Sequence, residues 1–519
     1  MNRVNQIISI VLVMLLMITS ISAAVSFSSV DQNSQQVLRG SFEKKTWYVD
    51  DNGTADFTSV QDAVDAASPG DTIYVLSGLY VENIIVNKTL SLIGEDKNTT
   101  VLDGNDTEDT LYISGTHVEI TGFTIQRAGR SSFINDFLID LHGDHAHIHH
   151  NLFIDSKYGV IGLKESDDHL IEYNHFNTPS HKSAHTCIEF FESSRTEISN
   201  NVFTDVGMAI LITGGSYDCI IRDNTMIYPK WGIQFNGGRG CAAYRNYIVD
   251  AHKGITHFAY SEMNAIYENT IKDCDWGIYS LLSGPPGTQL EAWSMAFHNN
   301  LINNNITFTQ GGGTDWYAPY PAGGNYISTY GNYTDDPRDD YQGPHQDIPG
   351  SDGIYDESFQ DKDRYPYVHE DGWKNRSIDP TLIVLGGFDW TTNVNYIMEP
   401  GEIRDYRFYV LNAGNTGPVR WRITEFPDFG SWDFDQESGR VTPEDGLVRV
   451  NFTITAPTEK ETKFYGSLKI INEDNPDNYW ILQADLATPI IHPFILLMER
   501  MYDFFEEILD YFQGIIKNI

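Results

Sequence analysis

Between residues 146 and 281 the apolar positions follow neither helical spacing nor simple alternation; they come in blocks that recur at a near-constant step. Six times an Asn is followed two residues later by a large apolar residue: Asn151/Phe153, Asn174/Phe176, Asn201/Phe203, Asn224/Met226, Asn246/Ile248 and Asn269/Ile271, at intervals of 23, 27, 23, 22 and 23 residues. Three residues before each Asn stands Ile148, Ile171, Ile198, Ile221, Ala243 or Ile266, and nine after it Val160, Ile210, Ile233, Ile255 or Ile278. A step of this size is too short for a helix pair and fits one coil of a parallel β-solenoid, whose coils stack to bury a shared core. The pattern predicts these apolar residues as inward rungs, with Ile188 arriving late because the second coil is longer. Gly159, Gly232, Gly254 and Gly277 fall at one corner, where a side chain has little room or the backbone needs unusual angles. The Asn column is expected to saturate turn backbone groups, which makes it architecture rather than chemistry.

The flanks read differently. Val60 to Ala67 form a short amphipathic helix followed by apolar runs at Ile73 to Leu76, Ile84 to Val86 and Leu90 to Ile93, so a helix is expected to cover the open end of the first core layer. The predicted class is all-β: a right-handed parallel β-helix over 46–310, with a Gly/Asp/Tyr-rich wrap over its end at 311–378. Alternating runs within 380–488, separated by Gly, Pro and Asn turns, predict an immunoglobulin-like β-sandwich that spaces or anchors the working part. Over 493–519, Leu497, Met501, Phe504, Ile508 and Phe512 give an amphipathic helix suited to a protein partner or a second copy. Residues 1–25 have Arg3, an apolar stretch and small residues, the layout of a secretory signal or an N-terminal anchor, so a secreted or cell-surface location is expected.

Charge narrows the partners. Seventy-two acidic against 34 basic residues give −38, which repels nucleic acid and favours cations. Cys187, Cys219, Cys241 and Cys274 are too few for a disulfide framework, and Cys219 and Cys241 share one register as inward neighbours, so buried free thiols are expected.

The segment from Thr46, TWYVDDNGTADFTSVQDAVDAASPGDTIYV, resembles the start of pectin-methylesterase-like proteins of the pectate-lyase-like superfamily, and the Asn ladder resembles the repeats of NosD-type proteins. The resemblance covers roughly 46–375 and implies the fold more than any chemistry. Where the esterase resemblance implies Gln-Asp-Thr-Leu, this chain has Ser156-Lys157-Tyr158-Gly159, so the oxyanion donor and attacking carboxylate are missing. Lyase-type chemistry needs a basic residue opposite carboxylates, and Arg222 with Glu172 and Glu197 on outward positions is the catalytic candidate set.

Three binding candidates remain. In His142-Gly-Asp-His145-Ala-His147-Ile-His149-His150, the register turns His145, His147 and His149 outward, with imidazoles about 7 Å apart along a strand. Such a strip could hold copper or zinc with one further ligand, and NosD-type proteins, by resemblance, are associated with copper-site maturation. A line of Tyr158, Met208, Trp231, Lys253 and Trp276, with outward Glu189, Gln234 and Asn236, could stack on sugars and bond hydroxyls. Asp352 and Asp356, in a loop resembling the NosD-like Asp-Gly-Ile-Gly-Asp, are candidates for calcium. The function expected is therefore binding of polysaccharide, glycoprotein or cations without turnover. A polysaccharide-active enzyme and a NosD-like copper-handling protein are the alternatives.

Overall fold

The computed structural model describes residues 44–129, 136–178, 186–258, 261–281, 294–308, 314–332, 337–386 and 396–488. The expected signal at 1–25 and amphipathic helix at 493–519 lie outside the described residues. Among the described residues no helix is long and apolar enough to cross a membrane.

Three parallel sheets of 12, 11 and 10 strands run the length of a solenoid. One coil shows how the sequence makes them. Leu170–Glu172 lies in the first sheet, His175–Asn177 in the second and Thr186–Phe191 in the third, and each pairs in register with its counterpart one coil away. The strands are short because each side of the coil holds only one or two inward residues. Ile148, Ile171, Ile198, Ile221, Ala243 and Ile266 stack on the first sheet, and Ile161, Ile188, Ile210, Ile233, Ile255 and Ile278 on the third, all buried, with Ile161 in the place expected of Val160 because that coil is one residue out of the counted register. On the second sheet Phe153, Phe176 and Phe203 stack nearly parallel, with ring centroids 4.8 and 4.6 Å apart. A fully buried side chain of this size stabilises by about 1.5–3 kcal/mol, and these columns repeat that gain in every coil.

The Asn column forms the expected ladder. Asn174 Oδ1 accepts both the backbone N–H and Nδ2 of Asn151, at 3.0 and 3.2 Å, while Asn174 Nδ2 donates to the Ile148 carbonyl and to Asn201 Oδ1. The same bonds run on through Asn224, Asn246, Asn269 and Asn299 to Asn325, whose N–H and Nδ2 both reach Asp363 Oδ2. The residue before each rung from Asn151 to Asn299 (His150, Tyr173, Asn200, Asp223, Arg245, Glu268, His298) is left-handed, with φ between 53° and 57°. That conformation costs roughly 1–2 kcal/mol per non-glycine residue, which the ladder bonds offset. At the corner, Gly232 is required by space and not by φ: a Cβ there would stand 2.4 Å from the Gly254 carbonyl oxygen.

The helix Val60–Ala66 covers the N-terminal end, with Val60, Ala63 and Val64 buried in the solenoid core. Ser59 caps it, and the Glu82 carboxylate accepts the first N–H groups, of Val60 and Gln61. At the other end Thr314–Asp315 and Tyr326–Ile327 still pair with the last strands of the first and second sheets. The solenoid therefore continues past residue 310, because Asn325 adds one more rung.

Residues 382–386 and 396–488 form a β-sandwich, antiparallel except where Tyr396–Ile397 pairs in parallel with Leu486 and Ala487, around Phe408, Trp421, Val450 and Leu468. It does not stand off as a spacer. Ile383, Leu385, Tyr409 and Leu411 of the sandwich share one buried cluster with Tyr244, Tyr267, Phe297 and Met295 on the outer face of the first sheet. Asp218 ties the two together, accepting from Tyr409 Oη and pairing with Arg449. The sandwich thus covers the later coils of that face and leaves the earlier ones open.

Candidate functional site

The earlier coils of the first sheet's outer face carry the histidines. His147 and His149 flank inward Ile148 on the strand His147–His149 and so point outward together. Their rings close to a stacked pair 4.0 Å apart, nearer than the strand repeat of about 7 Å. His145 does not join them. It sits at the corner before the strand, with φ 60°, and its ring lies 4.5 Å from that of His117. A left-handed residue ends the alternation, so the period-two reading fails one step before the strand begins.

Glutamates from the coils on either side complete the group. Glu119 lies opposite His147 and Glu172 opposite His149, yet the hydrogen bonds run along the diagonals. His149 Nε2 faces Glu119 Oε1 at 3.1 Å, and His147 Nε2 faces Glu172 Oε1 at 3.1 Å. One ligand atom from each of Glu119, His147 and His149 lies within 4.8 Å of the others, and all three side chains are partly exposed. His149 Nδ1 is held by Thr121 Oγ1 at 3.2 Å and by His150 Nδ1 at 2.8 Å, which fixes the ring's orientation. Burial pushes the His149 pKa below its ordinary value against the pull of Glu119, which favours neutral imidazole. Burial pushes Glu119 up, but bonds from Ser91 and His149 outweigh it and keep the carboxyl below its usual range. Neutral imidazole beside ionised carboxylate is the protonation state a metal ion requires.

Ligands about 2.1 Å from one tetrahedral ion stand about 3.4 Å apart, so atoms as far apart as 4.8 Å would have to close by up to about 1.4 Å to share it. Two imidazoles and a carboxylate are a donor set for zinc or copper, while Glu172 bonds His147 from outside the group. Sequence reasoning found the two histidines but missed Glu119, because its separation of 28 and 30 residues spans a coil outside the counted ladder. The signal was the solenoid register itself, extended one coil toward the N-terminus.

The catalytic candidates separate. Glu172 bonds His147, whereas Arg222 pairs with Glu197 and, at 2.7 Å, with Asp223. A guanidinium held by two carboxylates two coils away from Glu172 is no free base. Asp352 and Asp356 also fail to converge: Asp352 accepts Ile354 N–H and Gln346 Nε2, while Asp356 accepts the N–H groups of Asp340 and Tyr341. Both serve as loop acceptors.

The aromatic line lies on the outer face of the third sheet. Met208, Trp231, Lys253 and Trp276 are register neighbours, with Trp231 and Trp276 half-buried on either side of Lys253. Lys253 Nζ stands 4.0 Å from the centroid of Tyr279 and 5.8 Å from that of Trp231, so the line is interrupted by a cation held on its own rings. Gln234 is half-buried and Asn236 exposed in the same strand. Tyr158 falls outside the expected line, because the register puts Gly159 in the position of Met208; it stands edge-on to Phe137 at 6.0 Å, in a more polar setting. There Asp140 Oδ2 accepts Lys164 Nζ at 2.9 Å, while Asp140 Oδ1 is buried without a partner among the described residues. Burial pushes Asp109 and Glu189 up to about 7, with Asp140 and Asp136 adding to the rise at Asp109. Lys164 opposes both shifts. All four cysteines are buried and free.

Comparison with known proteins follows the same outline. A curated relative, Probable pectinesterase/pectinesterase inhibitor 41 of Arabidopsis thaliana, is 41% identical over 68 residues, 11% of this chain and 12% of its own length. The chain thus spans only about an eighth of that relative. Among solved structures, an alginate lyase from a Paenibacillus species is 16% identical, with 52% of this chain and 97% of that one covered at a TM-score of 0.37. Pectin methylesterase from carrot is 13% identical, with 56% and 89% covered at 0.30. The family model described as periplasmic copper-binding protein (NosD) matches residues 64–227 and 180–338. Those two matches together run over more than half of the 519 residues, from the capping helix to the last ladder rung, and the chain belongs to the NosD family.

Proposed function

We propose that this protein is a non-catalytic, exported β-helix protein that holds a copper or zinc ion on the outer face of its first sheet. The ligands are Glu119, His147 and His149, and Glu172 orients the His147 ring. The observation that carries this reading is the approach of three ligand atoms to within 4.8 Å from two adjacent coils. The donor chemistry agrees with it, since imidazole and carboxylate suit both ions. So does the family description, which is of a periplasmic copper-binding protein. The rigid coil stack supplies the preorganisation, and the acidic surface raises the local cation concentration. Competition titration of Cu(II) and Zn(II) against a chelator tests the reading. His147→Ala with His149→Ala should lower affinity at least 100-fold and Glu119→Gln about tenfold, whereas His117→Ala should change little. Unaltered affinity in the double variant would sink it, since the 16 histidines of the chain offer other binding modes.

A second reading, a glycan subsite on the third sheet, is favoured by the buried Asp140 Oδ1, which has no partner among the described residues, beside Lys164, Glu189 and Tyr158. A carboxylate oxygen without a donor suits a sugar hydroxyl, and Tyr158 offers a ring to stack on it. Affinity electrophoresis in neutral and acidic polysaccharides should show retardation that Tyr158→Ala abolishes. Equal mobility of the two proteins in every gel would dismiss it.

A further inference from the structure

A cavity of 340 Å³ lies where the end of the solenoid meets the sandwich, far along the chain from the histidine cluster. Its walls are four aromatic side chains, Tyr317, Tyr320, Tyr365 and Trp480, with Met295 buried among them and Asp315 exposed as the charged group of the lining. The rings are set at steep angles. Tyr317 meets Tyr365 at 87° with centroids 5.3 Å apart, and Tyr320 meets Tyr365 at 57° and 6.0 Å. Steeply angled rings form the sides of a box, whereas rings stacked face to face would cover one another.

Polar edges are tied back. Tyr365 Oη donates to the Pro344 carbonyl at 2.9 Å and Trp480 Nε1 to the Leu382 carbonyl at 2.8 Å. With those bonds made, the two side chains have little left to offer a ligand except apolar surface and the electron-rich faces of their rings. The Tyr365 ring already holds one cation, the Arg364 guanidinium, 5.3 Å from its centroid. An aromatic ring face attracts a cation by its quadrupole, the more strongly when the cation is desolvated. An ammonium with N–H groups would lose hydrogen bonds to water in such a box, whereas a fully methylated one has none to lose. Asp315 supplies the counter-charge, and the cavity volume falls within the range of small-molecule sites, about 300–1,000 Å³.

We propose that this cavity binds a small quaternary ammonium compound, held on the faces of Tyr317, Tyr320, Tyr365 and Trp480 and neutralised by Asp315. The site joins three parts of the chain that the sequence separates widely: the last solenoid coil, the wrap and the sandwich. It is built only when the sandwich is docked.

Isothermal titration of the full chain with choline and with its uncharged carbon isostere, 3,3-dimethylbutan-1-ol, separates charge from shape. Choline is expected to bind in a saturable one-to-one manner at least tenfold more tightly than the isostere. Asp315→Asn should weaken choline several-fold while leaving the isostere unchanged, and Tyr317→Leu should weaken choline tenfold or more. Asp315 is exposed, so its variant keeps the test open should Tyr317→Leu disturb folding. Equal affinity for the two compounds would reduce the cavity to an apolar pocket and overturn the proposal. Absence of choline binding, or choline binding unaffected by both substitutions, would also overturn it.

Discussion

Replacing Asn224 by Ala takes out a middle rung of the ladder, and the structure allows the loss to be worked through atom by atom. Asn224 Oδ1 accepts the backbone N–H and Nδ2 of Asn201, and Asn224 Nδ2 donates to the Ile198 carbonyl and Asn246 Oδ1. Two neighbours are insured against the change. Asn201 Nδ2 keeps the carbonyls of Ile171 and Ser199, and Asn246 Oδ1 keeps the Asn224 backbone N–H. The Asn201 N–H and the Ile198 carbonyl lose this partner in a buried turn that water does not reach. Each such group costs about 1–3 kcal/mol, so the expected destabilisation is about 2–6 kcal/mol, a large part of the ~5–15 kcal/mol that typically holds a domain. Because coils contact only their neighbours, the effect should be local. Urea unfolding followed by circular dichroism, with amide exchange read on the peptide containing Asn201, measures both parts. Asn236→Ala, on an exposed residue, serves as the control and should stay within about 0.5 kcal/mol. If Asn224→Ala shifted the midpoint no more than that control and Asn201 exchange stayed slow, the ladder would be decoration and the reasoning would fail.

Two further outcomes are expected. Glu189 is pushed up to about 7 by burial, so the folded chain keeps a proton that the unfolded chain releases near the ordinary 4.5. Stability from this group is complete below about 4.5, falls as pH rises to about 7 and is flat above; Glu189→Gln should remove a slope worth on the order of 3 kcal/mol in stability-versus-pH curves. An unchanged curve would show that the carboxyl is not buried in solution. Asp218→Ala strips the shared partner from Tyr409 and Arg449, so sandwich docking should weaken by about 2 kcal/mol, seen as faster limited proteolysis that releases the sandwich. Cleavage at the rate of the parent chain would mean that the apolar cluster around Tyr244 and Tyr267 docks the sandwich unaided.

The solenoid was legible because one coil is one repeat: a single spacing of Asn and Ile assigns inward and outward faces over the whole ladder. That register correctly turned His147 and His149 outward and buried Cys219 and Cys241. It stopped being informative at corners, where His145 adopts a left-handed φ that alternation cannot foresee. Contacts between coils outside the counted repeats were also hidden, which is why Glu119 went unnoticed. The docked sandwich was less legible still. Ala242 and Ala265 on an outward column look like ordinary small surface residues until Leu385 and Leu411 are placed against them. Which apolar surface meets which is a tertiary fact with no spacing of its own, and the aromatic cavity at that junction shares this origin.

The Asn ladder also has a direction. Every rung passes its amide hydrogen toward the C-terminal end and offers its oxygen to the coil before, so the side-chain dipoles of eight asparagines, Asn151 to Asn325, point one way and reinforce one another. Such a row cannot end on another amide, which would leave a hydrogen with nowhere to go. Asp363 ends it with an oxygen that takes two hydrogens from Asn325 and has no amide hydrogen to hand on. The chain therefore carries its own terminator, and a coil grafted beyond Asn325, or a second solenoid stacked on that end, would meet a column with no donor left to give.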